Sequence, residues 1–191
     1  MSHDFITVVS GLPRSGTSLM MQMLHAGGLP AMSDGLRSAD ENNPRGYFEY
    51  EPVKRLRSDS SWLPQARGHV VKIIHLLLRD LRLDGSLQYR IVFMQRPLDE
   101  VLSSQRAMLQ RDGKAGADAA VLKKAFEAQL VQLDGWLAAQ PGVQVLKQPY
   151  HQVVQQPQAV AEGLKTFLGL DLDTAAMVRA VDPSLHRQRG A

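Results

Sequence analysis

A short segment near the N-terminus, residues 11–18, combines two glycines, three hydroxyl side chains and one arginine. It follows an apolar run and precedes a helical pattern, so we expect its backbone N–H groups and the first turn of the helix to face one point. Gly11 and Gly16 would allow tight turns and a close approach of the backbone to an anion. The hydroxyl groups belong to Ser15, Thr17 and Ser18. This composition predicts a phosphate-binding loop.

The loop differs from the one that binds ATP or GTP. The spacing from Gly11 to Gly16 fits the pattern G-x-x-x-x-G-K-[ST]. However, Thr17 stands at the position of the lysine, and a cation appears earlier, at Arg14. A simple strand–turn–helix joint with Thr17 or Ser18 as the N-cap is the structural alternative. Such a joint needs one glycine and one hydroxyl, so the richer composition favours a phosphate loop of another kind.

A second cluster of polar residues follows a later apolar run. Arg96 lies where this run ends, and Ser104 lies eight residues further, about two turns into the next helical pattern. Lys72 lies near the end of another apolar run. Because open parallel sheets bind ligands at the carboxyl ends of their strands, we expect these residues to share an edge with the loop. The alternative for Arg96 is a surface salt bridge with Asp99 or Glu100.

The sequence offers no recognisable set of metal ligands. Residues 91–95 contain no Asp or Glu that would hold magnesium beside a triphosphate, as in kinases and NTPases. The histidines that lack the spacing of metal ligands are His25, His69, His151 and His186. We therefore expect a nucleotide site that works without a metal ion.

These motifs together resemble the sulfotransferases that use 3′-phosphoadenosine-5′-phosphosulfate (PAPS). Residues 13–18 are similar to the family's 5′-phosphosulfate loop, in particular to that of tyrosylprotein and bacterial sulfotransferases, where Arg replaces the Lys of cytosolic members. Arg96 and Ser104 resemble the family's 3′-phosphate motif, and Lys72 resembles a lysine at a similar spacing before it. Residues 43–49, with the sequence NPRGYFE, are similar to a stretch common among bacterial members.

The resemblance implies a co-substrate, a reaction and a set of roles. The protein would move a sulfuryl group from PAPS to a hydroxyl or amine of a small-molecule, carbohydrate or peptide acceptor, and adenosine 3′,5′-bisphosphate would leave. Arg14 and Lys72 would stabilise charge on the departing phosphate. The residues implied in binding PAPS are Arg14, Ser15, Gly16, Thr17, Ser18, Arg96 and Ser104. The C-terminal Arg187 and Arg189 are further candidates for contact with the nucleotide.

Several residues are candidates for the catalytic base. Cytosolic sulfotransferases carry a histidine two residues after the lysine, where this chain has Ile74. His75 is displaced by one position and on a strand would point to the opposite face, so we interpret it as structural. Other branches use a glutamate from the loop after the first helix, which makes Glu41 the first choice here. The remaining carboxylates of that region are Glu49, Asp34 and Asp40.

The elements that position these residues alternate between strand and helix along the chain. Apolar runs predict four buried parallel strands, at residues 5–9, 69–74, 91–94 and 143–146. Helical patterns cover residues 18–26, 51–58, 98–111, 117–139 and 157–168. This order predicts one α/β domain spanning residues 1–191. We expect a central, mostly parallel sheet between two layers of helices, in the P-loop NTPase-like architecture of sulfotransferases.

Residues 27–50 lack periodicity and are rich in Gly and Pro, so we interpret them as a functional loop on the acceptor side of the site. The net charge of +3 is too small and too evenly spread to indicate nucleic-acid binding. No leader sequence or membrane span is recognisable, so the cytoplasm is the expected compartment. The sequence leaves the acceptor and the oligomeric state open.

Two other functions are compatible with the same motifs. A small-molecule kinase would share the fold and the loop, but it would require magnesium and ATP. A non-catalytic nucleotide-binding protein would keep the phosphate loop and lack a base. Binding of adenosine 3′,5′-bisphosphate, its dependence on magnesium, and transfer of sulfate distinguish the three.

Overall fold

The computed structural model describes residues 3–36, 46–113 and 116–182. Within these ranges, four strands form one sheet in the order β2–β1–β3–β4, and each neighbouring pair is parallel. The strands are β1 (Phe5–Gly11), β2 (Val70–Lys72), β3 (Gln88–Gln95) and β4 (Val143–Pro149). The predicted α/β architecture with a central parallel sheet is confirmed.

Helices occupy most of the chain between and after the strands. The α-helices in the described ranges are α1 (Thr17–Ala26), α2 (Leu98–Arg111), α3 (Ala119–Ala138), α4 (Tyr150–Gln155), α5 (Pro157–Leu168) and α6 (Thr174–Arg179). Short 3₁₀ helices cover Glu51–Arg55, Leu63–Ala66 and His75–Asp80. None of these helices is long and apolar enough to cross a lipid bilayer.

Both faces of the sheet are buried, because successive residues of each strand contact different helical layers. Val9 and Val92 pack on one side with side chains of α1, α5 and α6. Val8 and Ile91 pack on the other side with leucines of α3. The strands are therefore continuously apolar, as expected for parallel strands covered on both faces.

The observed elements match the predicted ones best where the sequence carries clear end signals. α5 has the predicted bounds: Pro157 stands in its first turn, and Gly169 ends it in a left-handed conformation with φ 59°. The predicted helix at 51–58 is a shorter 3₁₀ helix at Glu51–Arg55. β2 is shorter than the predicted strand because the chain turns into another 3₁₀ helix at His75.

The register of the sheet brings the carboxyl ends of the strands to one edge. Gly11 of β1 lies opposite Met94 of β3, and Gln95 of β3 lies opposite Pro149 of β4. Lys72, the last residue of β2, pairs with β1 two residues before that strand ends. The segments that follow these strands therefore begin side by side. Open parallel sheets bind ligands at this edge.

Candidate functional site

The predicted phosphate loop lies between β1 and α1. Three of its residues have a positive φ: Gly11 with 148°, Arg14 with 69° and Gly16 with 100°. Gly16 is the N-cap of α1, which begins at the half-buried Thr17, and no side chain in the described part of the chain caps the helix. The first N–H groups of a helix have no partners within it, and they carry the positive end of the helix dipole. The loop can therefore hold an anion at the start of α1.

Ser15 supplies a buried hydroxyl to this loop. The residue is 1% exposed, and its Oγ has no hydrogen-bond partner within the described residues. A Cβ on Gly11 would lie 2.5 Å from this oxygen, so a side chain at position 11 would clash with the Ser15 hydroxyl. A buried hydroxyl without a partner costs about 1–3 kcal/mol. A ligand oxygen bound in the loop would remove that cost.

Arg14 links the two predicted phosphate clusters. Its Nε donates a hydrogen bond to Ser104 Oγ (3.1 Å), which lies 90 residues away in the chain. Its backbone carbonyl accepts a hydrogen bond from Nη1 of Arg96 (3.2 Å). Ser104 is 6% exposed and lies with Val101 on the buried face of α2. The structure thus brings Arg14, Arg96 and Ser104 together.

Arg96 is enclosed by neighbours from two further elements. Its Nε donates to Glu100 Oε2 (2.8 Å), and the side chains of the pair are 7% and 15% exposed. Its guanidinium carbon lies 4.6 Å from the centre of the Tyr150 ring. The salt bridge considered as an alternative for Arg96 is therefore present, but it is buried at the site. Glu100 offsets part of the positive charge and orients the guanidinium group.

Lys72 brings a third cation to the first turn of α1. Its Nζ donates to Ser18 Oγ (3.4 Å) and to the carbonyl oxygen of Tyr47. The ammonium group also lies 5.8 Å from the centre of the Tyr47 ring. These contacts tie the end of β2 to the start of α1 and to the segment that contains Tyr47. Lys72 therefore lies at the same edge as Arg14 and Arg96.

Tyr150, the first residue of α4, packs against both the loop and Arg96. A Cβ on Gly16 would lie 2.4 Å from Cδ2 of Tyr150, so the ring lies directly against the Gly16 backbone. Burial raises the pKa of the Tyr150 phenol above its usual value, and the positive charge of Arg96 opposes this shift. The sequence motifs assign no role to Tyr150, whereas Glu100 was named there as a possible salt-bridge partner of Arg96. The signal that could have found Tyr150 is its place at the end of β4.

His75 lies between its 3₁₀ helix and α3. It is 3% exposed, and its Nε2 lies 2.9 Å from Oε1 of Gln129. Its ring makes an edge-on contact with Phe126, with 6.4 Å between ring centres. These are the contacts of a packed interior side chain, and they favour the structural interpretation of His75.

Two of the acidic candidates for the base lie within the described residues. The carboxylate of Asp34 accepts hydrogen bonds from the N–H groups of Leu36 (3.0 Å) and Glu51 (2.5 Å). These bonds, chiefly the one from Glu51, hold the pKa of Asp34 below its usual value. Both oxygens of the Asp34 carboxylate thus accept hydrogen bonds from the backbone. Glu49 is half-buried, and its carbonyl accepts from the N–H of Asp34 (3.2 Å). The candidates that lie outside the described residues are Glu41, Asp40, Arg187 and Arg189.

The donor set at this edge suits an anion. Its cations are Arg14, Lys72 and Arg96, and its hydroxyl groups are Ser15, Ser18 and Ser104. Guanidinium, ammonium, hydroxyl and N–H groups all donate hydrogen bonds to phosphate or sulfate oxygens. Within the described ranges, no three side chains of His, Asp or Glu form a group that would hold a metal ion.

Known proteins similar to this chain were found among solved structures; no protein-family model and no curated protein matches it. The chain is similar to the sulfotransferase domain of the Synechococcus PCC 7002 olefin synthase, with 16% identity over 96% of this chain and 86% of that one, and a TM-score of 0.55. It is also similar to a sulfotransferase from Mycobacterium tuberculosis H37Rv, with 18% identity over 92% and 71% of the chains and a TM-score of 0.60. A sugar kinase from Janibacter sp. HTCC2649 matches with a TM-score of 0.45 and 15% identity over 90% and 97% of the chains, a likeness too low to support an argument. At these identities the likeness to the sulfotransferases concerns the fold.

Proposed function

We propose that the protein is a sulfotransferase that transfers a sulfuryl group from PAPS to a hydroxyl or amine of an acceptor. The observation that carries the proposal is the network in which Arg14 Nε bonds to Ser104 and Arg96 bonds to the Arg14 carbonyl. A nucleotide with phosphates on both the 5′ and 3′ positions of its ribose requires two neighbouring anion sites. ATP carries its phosphates in one chain and requires one. The fold shared with sulfotransferase domains supports the same proposal.

In this proposal, the loop and α2 divide the binding of PAPS between them. The N–H groups at the start of α1 and the hydroxyls of Ser15, Thr17 and Ser18 donate to the 5′-phosphosulfate. The buried Ser15 hydroxyl, which has no partner within the described residues, gains one. Arg96 and Ser104 bind the 3′-phosphate, and their link to Arg14 holds the two anion sites in a fixed relation.

The transfer step forms a bond from the acceptor oxygen or nitrogen to sulfur and breaks the bond from sulfur to the bridging phosphate oxygen. The electron pair of the broken bond stays on adenosine 3′,5′-bisphosphate, so negative charge grows at its 5′-phosphate. Arg14 and Lys72 stabilise this charge from the loop and from the end of β2. Loss of one such donor typically costs about 10²–10³-fold in rate. We propose Glu41 as the base that takes the acceptor's proton.

Calorimetry with two nucleotides tests the proposal. Adenosine 3′,5′-bisphosphate and ATP are titrated into the protein, each with and without magnesium. We expect the bisphosphate to bind independently of magnesium and Arg96→Ala to weaken this binding by about 10–100-fold. Arg111→Ala is the matched control, because it removes an exposed arginine at the other end of α2 with the same change of charge. Magnesium-dependent binding of ATP without a response to the bisphosphate would contradict the proposal and favour a kinase.

Transfer of labelled sulfate separates an enzyme from a nucleotide-binding protein without activity. The acceptors to be offered with labelled PAPS are phenols, sugars, amines and peptides. We expect label on at least one class of acceptor, and rates about 10²–10³-fold lower for Arg14→Ala and Lys72→Ala. Glu41→Gln should also lower the rate while leaving the affinity for the bisphosphate unchanged, since a base is not needed for binding. Tight binding without transfer to any acceptor would favour the non-catalytic protein.

A further inference from the structure

Tyr150 belongs to neither phosphate motif, yet it contacts both. It follows β4 as the first residue of α4, and its ring lies against Gly16 on one side and Arg96 on another. We propose that Tyr150 is a positioning residue that holds the phosphate loop and Arg96 at the separation that a nucleotide with two phosphates requires. This inference rests on the proposed PAPS site. It adds the residue that sets the distance between the two anion sites.

The contact with the loop is made at Gly16, where the loop leads into α1. Gly16 has φ 100° and opens α1 as its N-cap. A Cβ at this position would lie 2.4 Å from Cδ2 and 2.9 Å from Cε2 of Tyr150. The ring thus occupies the space that any other residue at position 16 would need. The Tyr150 ring therefore limits how closely the first turn of α1 can approach the start of α4.

The contact with Arg96 is made through the face of the ring. The guanidinium carbon lies 4.6 Å from the ring centre, within the range of a cation–π interaction. Tyr150 is 7% exposed, and the Arg96 side chain is 7% exposed, so water screens this attraction little. Such interactions are strongest when the partners are desolvated.

Three contacts together fix the Arg96 guanidinium group. Glu100 accepts from Nε, the Arg14 carbonyl accepts from Nη1, and Tyr150 covers the group with its ring. Glu100 belongs to α2, the helix that follows Arg96, and Arg14 belongs to the phosphate loop. Tyr150 is the contact that comes from β4 and α4. Loss of the Tyr150 ring would let Arg96 and the loop move relative to each other. The affinity for a ligand that contacts both would then fall more than the affinity for a ligand that contacts only one.

Binding of two nucleotides to three proteins tests the inference. Wild type, Tyr150→Phe and Tyr150→Leu are each titrated with adenosine 3′,5′-bisphosphate and with adenosine 5′-monophosphate, which lacks the 3′-phosphate. We expect Tyr150→Phe to bind the bisphosphate like wild type, because the ring is kept. We expect Tyr150→Leu to bind it about tenfold more weakly, with a smaller loss for the monophosphate. An equal loss in the Phe and Leu variants would assign the effect to the hydroxyl group and overturn the proposal, as would an unchanged affinity in the Leu variant.

A double-mutant cycle shows whether Tyr150 acts through Arg96. If it does, Tyr150→Leu should weaken bisphosphate binding by less than about twofold once Arg96→Ala is present. Independent, multiplying losses would contradict a positioning role. A residue that only supports folding would lower the thermal stability of the protein without changing the ratio of the two nucleotide affinities.

Fluorinated phenylalanines at position 150 test the same contact if the Leu variant does not fold. Phenylalanine carrying none, one, two or three fluorine atoms at position 150 keeps the shape of the ring while it weakens the negative face that attracts Arg96. We expect affinity for the bisphosphate to fall stepwise with fluorination. A flat series would overturn the inference. Absence of bisphosphate binding to wild type would instead overturn the proposed function itself, so the two failures are distinguishable.

Discussion

Arg14 combines an unfavourable backbone conformation with two hydrogen bonds that depend on it. Its φ of 69° costs a residue with a side chain about 1–3 kcal/mol. In this conformation its guanidinium group reaches Ser104 and its carbonyl oxygen faces Arg96. Strain of this kind persists where surrounding contacts fix the backbone, and it is concentrated at ligand sites. The contacts of Arg14 therefore help to keep the loop in the observed conformation.

Ser104→Ala should weaken the binding of adenosine 3′,5′-bisphosphate about 10-fold to 100-fold. The change removes the acceptor of the Arg14 Nε hydrogen bond, and a hydrogen bond to a charged group contributes about 1.5–3 kcal/mol when its partner is buried. Calorimetry measures the affinity. Ser103→Ala is the matched control, since Ser103 is the adjacent residue of α2 and is exposed. Equal affinities of the two variants would show that the Arg14–Ser104 contact does not contribute to binding.

The turn from β1 into α1 is constrained twice, by its backbone and by the ring that covers it. Gly16→Ala places a side chain at φ 100° and within 3 Å of Tyr150. The left-handed conformation alone costs about 1–2 kcal/mol, and overpacking adds about 1–3 kcal/mol. We expect both costs to lower the free energy of unfolding measured with a denaturant.

Gly28→Ala separates the two costs of that change. Gly28 follows α1 with φ 97°, close to the value at Gly16, but a Cβ there would meet no atom of the described residues within 4 Å. We therefore expect Gly28→Ala to carry the backbone cost alone and to leave nucleotide affinity unchanged. If the two alanine variants lose the same stability, the Tyr150 ring does not restrict the loop.

The connection after α1 is held by Asp34, and its contribution should depend on pH. Asp34 accepts from the N–H groups of Leu36 and Glu51, and these bonds lower its pKa below the ordinary 3.8. The ionised carboxylate therefore stabilises the fold at pH above about 4, and this contribution is lost as the pH falls through the folded-state pKa. Because the side chain is exposed, we expect less than about 1 kcal/mol.

Denaturation of wild type and Asp34→Asn at several pH values checks this sign. The variant should be less stable than wild type near pH 6, and the difference should shrink as the pH falls below about 4. Asp112→Asn, which removes an exposed carboxylate after α2, controls for the loss of one charge. A difference that is constant from pH 6 to pH 3 would contradict the assigned role of the Asp34 carboxylate.

Local patterns predicted the elements better than they predicted the contacts. The loop at residues 11–18 and the helix α5 were recognisable from the sequence. Glycine, proline and hydroxyl residues determine turns and helix ends through the backbone within a few residues of their own position. The contact of Arg14 with Ser104 depends on the pairing of β1 with β3, which no short-range pattern encodes. The contact of Tyr150 with the loop requires β4 beside β3 as well. The first choice for the base, Glu41, lies outside the described residues and stays a prediction.

The site is assembled from the carboxyl ends of all four strands, so it exists only when the whole sheet has formed. The loop follows β1, Lys72 ends β2, Arg96 follows β3 and Tyr150 follows β4. A ligand bound across these segments contacts residues far apart in the chain. Unfolding of any one strand would therefore destroy the site, and ligand binding should stabilise the domain as a unit.

Adenosine 3′,5′-bisphosphate should accordingly raise the midpoint of one cooperative thermal transition. At about 100 times its dissociation constant, a ligand adds about 2.7 kcal/mol, and for a chain of this length each kcal/mol shifts the midpoint by roughly 2–4 °C. We expect a shift of about 5–10 °C that is the same with magnesium and with a chelator, and a much smaller shift for Arg96→Ala at the same concentration. If the four strand ends hold the ligand together as proposed, the transition should stay single as it moves. A transition that splits on ligand addition would show that one strand end does not take part in binding, and the part of the chain that still melts at the lower temperature would identify it.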